Sequence, residues 1–178
     1  MNIEETIEHT GMSPKTYNDL EDCLEEYINE ASKMDLLTFV RKTAPTLVTD
    51  FKMGRHIELL CDRLQKVADG ELKRLMVFLP PRSSKSLITS KIFPAWYIGR
   101  EPNHEIMSVS HSDQLASDFG RSVRDIVNTE DFQKIFRGVQ LRSDVKAAGK
   151  WKTNKNGSYY AAGVRSQIAG RGAHLALL

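Results

Sequence analysis

The chain has 178 residues, 40% of them hydrophobic and 27% charged, which suits one compact domain with a real core and argues against general disorder. Its 25 basic and 23 acidic residues leave a net +2, so overall charge does not demand a nucleic-acid partner. No apolar run approaches the roughly 18 residues of a membrane span, and the acidic start lacks the basic and apolar regions of a secretory signal, so a soluble, unexported protein is expected.

Ser13-Pro14 reads as a helix start, serine as N-cap and proline at the first helical position. Leu20, Cys23, Leu24, Tyr27, Ile28 and Ala31 then recur at helical spacing, which predicts an amphipathic helix with this stripe inward and an acidic outer face. A second helix is predicted over 35–43, stopping before Pro45. A third runs over about 54–68, with Ile57, Leu60, Leu64 and Val67 inward and Asp69-Gly70 as its stop. Cys23 and Cys61 both fall in these helical patterns, as reduced packing residues rather than a disulfide framework.

The pattern changes at Arg74-Leu-Met-Val-Phe-Leu79, an apolar run closed by Pro80-Pro81 that predicts a strand buried on both faces. A helix is predicted over 86–97, with Ile88, Ile92, Ala95 and Trp96 inward and Pro94 kinking it or ending it early. Next come a strand over 105–109 and a helix capped by Ser110 with Asp113 three residues on. Its buried stripe is Leu115, Phe119, Val123, Ile126 and Val127, which leaves Arg121 and Arg124 outside. Short strands are predicted at 150–153, 158–161 and 175–178. The order implies an α/β fold with a largely parallel sheet, residues 1–50 forming a helical segment ahead of a domain over 51–178.

The run Leu79-Pro-Pro-Arg-Ser-Ser-Lys-Ser86 carries the chemistry. A phosphate loop needs successive N–H groups curled round an anion at a helix start, a lysine for the β/γ-phosphates and a hydroxyl for Mg²⁺. Lys85 and Ser86 supply the last two, directly before a predicted helix. The glycines usual six residues and one residue before the lysine are replaced by Leu79 and Ser84; a Cβ at Ser84 works against the backbone angles and phosphate approach that glycine permits, though serine is small enough for the loop to survive.

Several motifs in order resemble the large terminase subunits of tailed bacteriophages, whose N-terminal ATPase domain drives DNA into a capsid. Leu79-Pro-Pro-Arg-Ser-Ser-Lys-Ser86 is similar to the family's Pro-Pro-Arg-x-Gly-Lys-Ser loop, and Phe93-Pro-Ala-Trp-Tyr-Ile-Gly99 follows as in many members. Ser108-Val-Ser-His-Ser-Asp-Gln-Leu-Ala116 with Phe119-Gly-Arg-Ser-Val-Arg124 resembles the second strand and helix. Trp151-Lys-Thr153 and Ala162–Leu178 resemble the approach to the Walker B strand. The resemblance runs from about His56 to Leu178 and departs at Ser84, at Ala169 where many members have threonine, and at His174 where many have aspartate. It implies a P-loop NTPase fold, ATP and Mg²⁺ as cofactors, and double-stranded DNA, a portal protein and a small terminase subunit as partners. It also implies a homo-oligomeric ring acting in the host cytoplasm at the procapsid portal. The Walker B aspartate, the catalytic glutamate and the nuclease domain are expected beyond Leu178, so weak turnover is expected of these residues alone.

Under that resemblance the backbone of Ser83, Ser84, Lys85 and Ser86 cradles the β-phosphate, Lys85 contacts the β/γ-phosphates and Ser86 holds Mg²⁺ through its hydroxyl. Arg82 either couples nucleotide state to motion or stabilises γ-phosphate charge, or else forms a salt bridge with a loop acid. Arg171, between Gly170 and Gly172, is either an arginine finger for a neighbouring subunit or a surface arginine on a glycine turn. Arg121 and Arg124 read as solvated helix-face charges. Phe51, Arg55 and His56 precede the loop where related motors hold adenine, though a cap or packing role fits a helix-start histidine better. The histidines show no metal-ligand spacing.

Charge is uneven: residues 1–30 are rich in Glu and Asp, whereas 134–171 carry lysines and arginines against the single acid Asp144, so a polyanion is expected to meet the C-terminal part. There Trp151, Tyr159 and Tyr160 lie among Lys150, Lys152 and Lys155. Strand packing is their expected role over stacking on nucleic acid. The alternative to an ATPase is a non-catalytic protein- or DNA-interaction remnant with a degenerate loop. A small-molecule kinase is a third reading, for which no acceptor pocket is evident.

Overall fold

In a computed structural model the described residues are 13–166, 168 and 170–178. Helices α1 (Pro14–Met34), α2 (Leu36–Leu47) and α3 (Arg55–Ala68) come first. A continuous helical run follows: α4 (Lys85–Leu87), a π-helical turn (Ile88–Ile92) and α5 (Phe93–Arg100). Then come β1 (Glu105–Ser110), α6 (Asp113–Val127), α7 (Glu130–Ile135), β2 (Leu141–Ala147), β3 (Lys150–Thr153), β4 (Ser158–Gly163) and β5 (Leu175–Leu177). The fold is α/β, with the five strands in the order β2-β3-β4-β1-β5.

The sheet is mixed rather than largely parallel. β1 runs parallel to β4 and β5, whereas β3 is antiparallel to both β4 and β2. The reason lies in chain length between strands. The β2–β3 and β3–β4 connections are too short for a crossover, so those strands can only fold back as hairpins. β4 enters beside β1 with Ile106 opposite Tyr159, and α6 covers the pair. Trp151 and Tyr159 stack 5.0 Å apart beneath it, and the Trp151 indole N–H donates to the Gly120 carbonyl at 3.1 Å. A Cβ on Gly120 would lie 2.6 Å from the Ala148 oxygen, so this approach requires glycine.

The helical run 85–100 occupies the interior. Ile88, Ile92, Phe93, Ala95, Trp96 and Ile98 have no exposed surface, and every residue from Phe93 to Gly99 is buried. A helix apolar on all sides must be enclosed on all sides. α1, α2, α3 and α6 pack around the run, and the Phe136 ring fills the space a Cβ on Gly99 would need. The Trp96 indole N–H donates to the Ser32 carbonyl of α1 at 2.9 Å. Pro94 neither breaks nor ends the helix. The turn before it widens: the Phe93 N–H reaches back five residues to the Ile88 carbonyl, and Thr89 gives its hydroxyl proton to the Lys85 carbonyl.

Three further expectations are corrected. Residues 74–79 are not a strand buried on both faces. They form no strand and pair with none among the described residues. Leu75, Val77 and Leu79 pack against the core, whereas Met76 and Phe78 are 79% and 82% exposed. α2 continues through Pro45 to Leu47: the proline forfeits one backbone bond near the helix end, and burial of Leu36, Phe39, Val40 and Ala44 anchors the helix to the core in spite of it. In α6 the cap is Ser112, whose hydroxyl accepts from the Leu115 N–H, while Ser110 is part of β1; Leu115 is exposed, and Ala116 and Gly120 take the buried face with Val123, Ile126 and Val127.

α1 is reversed relative to expectation. Ser13 and Pro14 start it as predicted, the serine hydroxyl accepting from the Thr16 N–H at 3.1 Å. Yet Leu20, Cys23, Leu24 and Tyr27 face solvent, and the buried residues are Asn29 and Ser32. The helix is drawn in through polar contacts: Lys42 to the Asn29 side-chain Oδ1 at 2.6 Å, Lys134 to Glu25 at 3.0 Å and the bond from Trp96 to the Ser32 backbone carbonyl. These use the face that the hydrophobic stripe does not.

Cys23 is therefore accessible and Cys61 is not. Burial pushes the Cys61 thiol up to about 12, with Asp35 reinforcing it, so it stays protonated at neutral pH. A maleimide at neutral pH should label Cys23 alone in the native protein, with Cys61 following only on addition of denaturant, as read by intact mass. Equal native labelling of both would contradict this packing.

Candidate functional site

The loop that opens the buried helical run is the most strained part of the backbone. Four non-glycine residues among the described ones have positive φ: Asp50 (60°), Arg82 (61°), Ser84 (59°) and Asn156 (71°). Such angles cost a side chain about 1–3 kcal/mol and persist where surroundings impose them. Three of the four, Asp50, Arg82 and Ser84, line one cavity.

That cavity holds about 560 Å³ and is bounded by Val48, Asp50, Phe51, Lys52, His56 and Ile57 on one side and by Leu79 to Ser84 on the other. Two elements distant in sequence thus converge, the turn entering α3 and the loop entering α4. The volume suits a drug-sized or nucleotide-sized ligand. Phe51 and His56 supply aromatic faces, Lys52 and Arg82 positive charge, and the loop a curled backbone.

Ser84 adopts the left-handed angles (φ 59°, ψ 12°) that a glycine would take for free, so the loop keeps its curl with serine in that place. Its carbonyl accepts the Ile88 N–H at 3.0 Å, starting the helix, and the Ser83 hydroxyl donates to the Pro80 carbonyl at 2.7 Å, bracing the turn. Lys85 is half-buried and Ser86 exposed; neither side chain has a hydrogen-bond or ion-pair partner among the described residues. Both adjoin the cavity in sequence without lining it. Arg82 is exposed and in no salt bridge among the described residues.

The other predicted residues are not gathered here. Arg171 lies with its guanidinium 4.0 Å over the Tyr160 ring of β4, a cation–π contact. Arg55 does not line the cavity. Arg124 reaches Asp125 at 3.1 Å, and Arg121 is exposed on α6. Trp151 and Tyr159 are fully buried and so present no face to nucleic acid. His174 accepts the Glu105 N–H through Nδ1 at 3.0 Å and stacks on His104 at 4.2 Å, which docks β5 against β1. Ala169 lies outside the described residues, as do residues 1–12 with Glu4, Glu5 and Glu8. Among the described residues no group of three or more His, Cys, Asp or Glu side chains is arranged to hold a metal ion.

Asp50 was not singled out from sequence, and Asp113 was read there only as the residue three on from Ser110, the expected cap of α6. Asp50 takes a left-handed turn position that aspartate tolerates, which is the only signal it gave. Asp113, in the first turn of α6, accepts the Gly163 N–H at 2.7 Å and the Ser166 hydroxyl. It pins the chain leaving β4 to the start of α6. Those two hydrogen bonds, the serine's first, hold its carboxyl below the usual range. Comparison of the chain with protein-family models, curated proteins and solved structures gives no match.

Ser84→Gly should release left-handed strain and stabilise the fold by about 1 kcal/mol, measured by urea unfolding; a loss of stability would mean that the serine side chain is itself needed. Asp113 contributes stability that is present above its unfolded pKa and lost as pH falls through its depressed folded one. The acid limb of stability below about pH 4 should therefore be shallower in Asp113→Asn than in the parent protein, as followed by circular dichroism.

Proposed function

We propose that this cavity binds the nucleotide of an ATP-driven motor, and that the chain is the front part of a terminase-type DNA-packaging ATPase with a P-loop NTPase core. The observation that carries the reading is the convergence of three left-handed non-glycine residues on one nucleotide-sized cavity that also offers Phe51 and His56. Strain of this kind concentrates where a ligand needs a backbone held in advance.

In this reading the N–H groups of Ser83 to Ser86 meet the phosphates, and Lys85, whose ammonium has no other partner among the described residues, neutralises the β/γ oxygens. The purine packs between Phe51 and His56. Ser86 offers its hydroxyl to Mg²⁺, which supplies charge neutralisation at the phosphates when bound. Arg82, exposed at the rim, is free to swing toward the γ-phosphate. Arg171 serves a neighbouring subunit of a ring only after leaving Tyr160, so its stacking is the resting arrangement. Hydrolysis is coupled to movement of double-stranded DNA, with the portal protein and the small subunit as further partners.

Mg-ATP titrated into the protein in a calorimeter should give binding heat that falls at least about tenfold in affinity in Lys85→Ala, with Phe51→Ala also weaker. Turnover should stay low. An absence of heat in the parent protein, with its fold intact, would favour the non-catalytic interaction module instead.

A further inference from the structure

The most apolar face of α1 is turned to solvent. Leu20, Leu24, Tyr27, Ala31 and Met34 follow at alternating steps of four and three residues, the a/d spacing of a coiled-coil seam. Leu20, Leu24, Tyr27 and Met34 are 53%, 58%, 71% and 69% exposed, while the helix is held to the body by Asn29, Ser32 and Glu25 on another face. An aliphatic and tyrosine stripe left out of the core by polar anchoring is a surface built for another helix.

Its borders are acidic. Asp19, Glu26 and Glu30 run along one side at the same spacing and Glu21 lies on the other. α1 as a whole has six acids, Asp19, Glu21, Asp22, Glu25, Glu26 and Glu30, against Lys15 and Lys33. Asp19, Glu21 and Asp22 have no ion-pair partner among the described residues. A second copy of α1 would set acid against acid, and an anionic membrane or a nucleic acid would be repelled in the same way.

We propose that this face of α1 docks an amphipathic helix of a partner protein whose own apolar stripe is bordered by lysine and arginine. The stripe supplies the buried area, and the acidic borders select the partner and its register. This interface is independent of the nucleotide cavity.

The test uses two fluorescent synthetic helices with the same leucine heptads, one bordered by lysine and one by glutamate, titrated with the full chain and followed by anisotropy. The lysine-bordered helix should bind at least about tenfold tighter, the difference shrinking as salt is raised. Leu24→Gln/Tyr27→Gln should abolish binding while its thermal midpoint stays at the parent value, because both side chains are exposed. Asp19→Lys/Glu21→Lys/Glu30→Lys should reverse the preference toward the glutamate-bordered helix. Equal affinity for both helices overturns the proposal, as does binding of neither. So does a concentration-dependent dimer of the chain that Leu24→Gln/Tyr27→Gln removes, which would assign the stripe to a second copy.

Discussion

Enclosure of the helical run 85–100 is the constraint on which the rest of the structure depends. Every residue from Phe93 to Gly99 is buried, with Ile88 and Ile92 in the turn before them, so no orientation of α5 leaves a water-facing side. Burying each such side chain contributes about 1.5–3 kcal/mol, far more than the widened turn before Pro94 costs. Four helices are drawn in around it, and the sheet packs beyond α6. Because the run cannot rotate or slide without opening cavities, its first residue is fixed in space, and with it the loop that precedes it.

That rigidity explains how serine occupies Ser84. A left-handed serine is unfavourable in isolation, but here the chain must turn from the extended segment ending at Pro80-Pro81 into a helix whose axis is already set. The angles at Arg82 and Ser84 follow from that geometry, and the bond from Ser83 to the Pro80 carbonyl holds them. The same turn presses the loop toward Phe51 and His56, whose own position depends on α3 being packed through Ile57, Leu60, Cys61 and Leu64. The cavity is thus a product of two packed helices meeting, not of the loop alone.

Polar contacts decided the remainder where apolar pattern left a choice. Asp69 illustrates this. Desolvation raises its pKa, yet hydrogen bonds from Gln65 and Arg100 outweigh that and hold it low, tying the end of α3 to the end of α5. At α1, the Ser32 backbone carbonyl and the Asn29 side chain make the contacts with the body that the hydrophobic stripe does not, since the core is already filled by α5 and the Trp96 N–H needs an acceptor.

Helical periodicity, caps and stops are local, and so the residues alone placed α3, the start of α1, the helix after Ser86, α6 and the strands β1, β3 and β4 close to where they lie. The Lys85-Ser86 pair at a helix start, and the packing role of Trp151 and Tyr159, were equally readable. Strand partners, the face a helix turns inward and the exposure of an apolar run depend on what else competes for the same core. Hence the antiparallel half of the sheet, the unpaired extended segment at 74–79, the outward stripe of Leu20, Leu24 and Tyr27, and the meeting of Asp50, Phe51 and His56 with the loop emerged only once the chain was folded, since each is settled by residues tens of positions away.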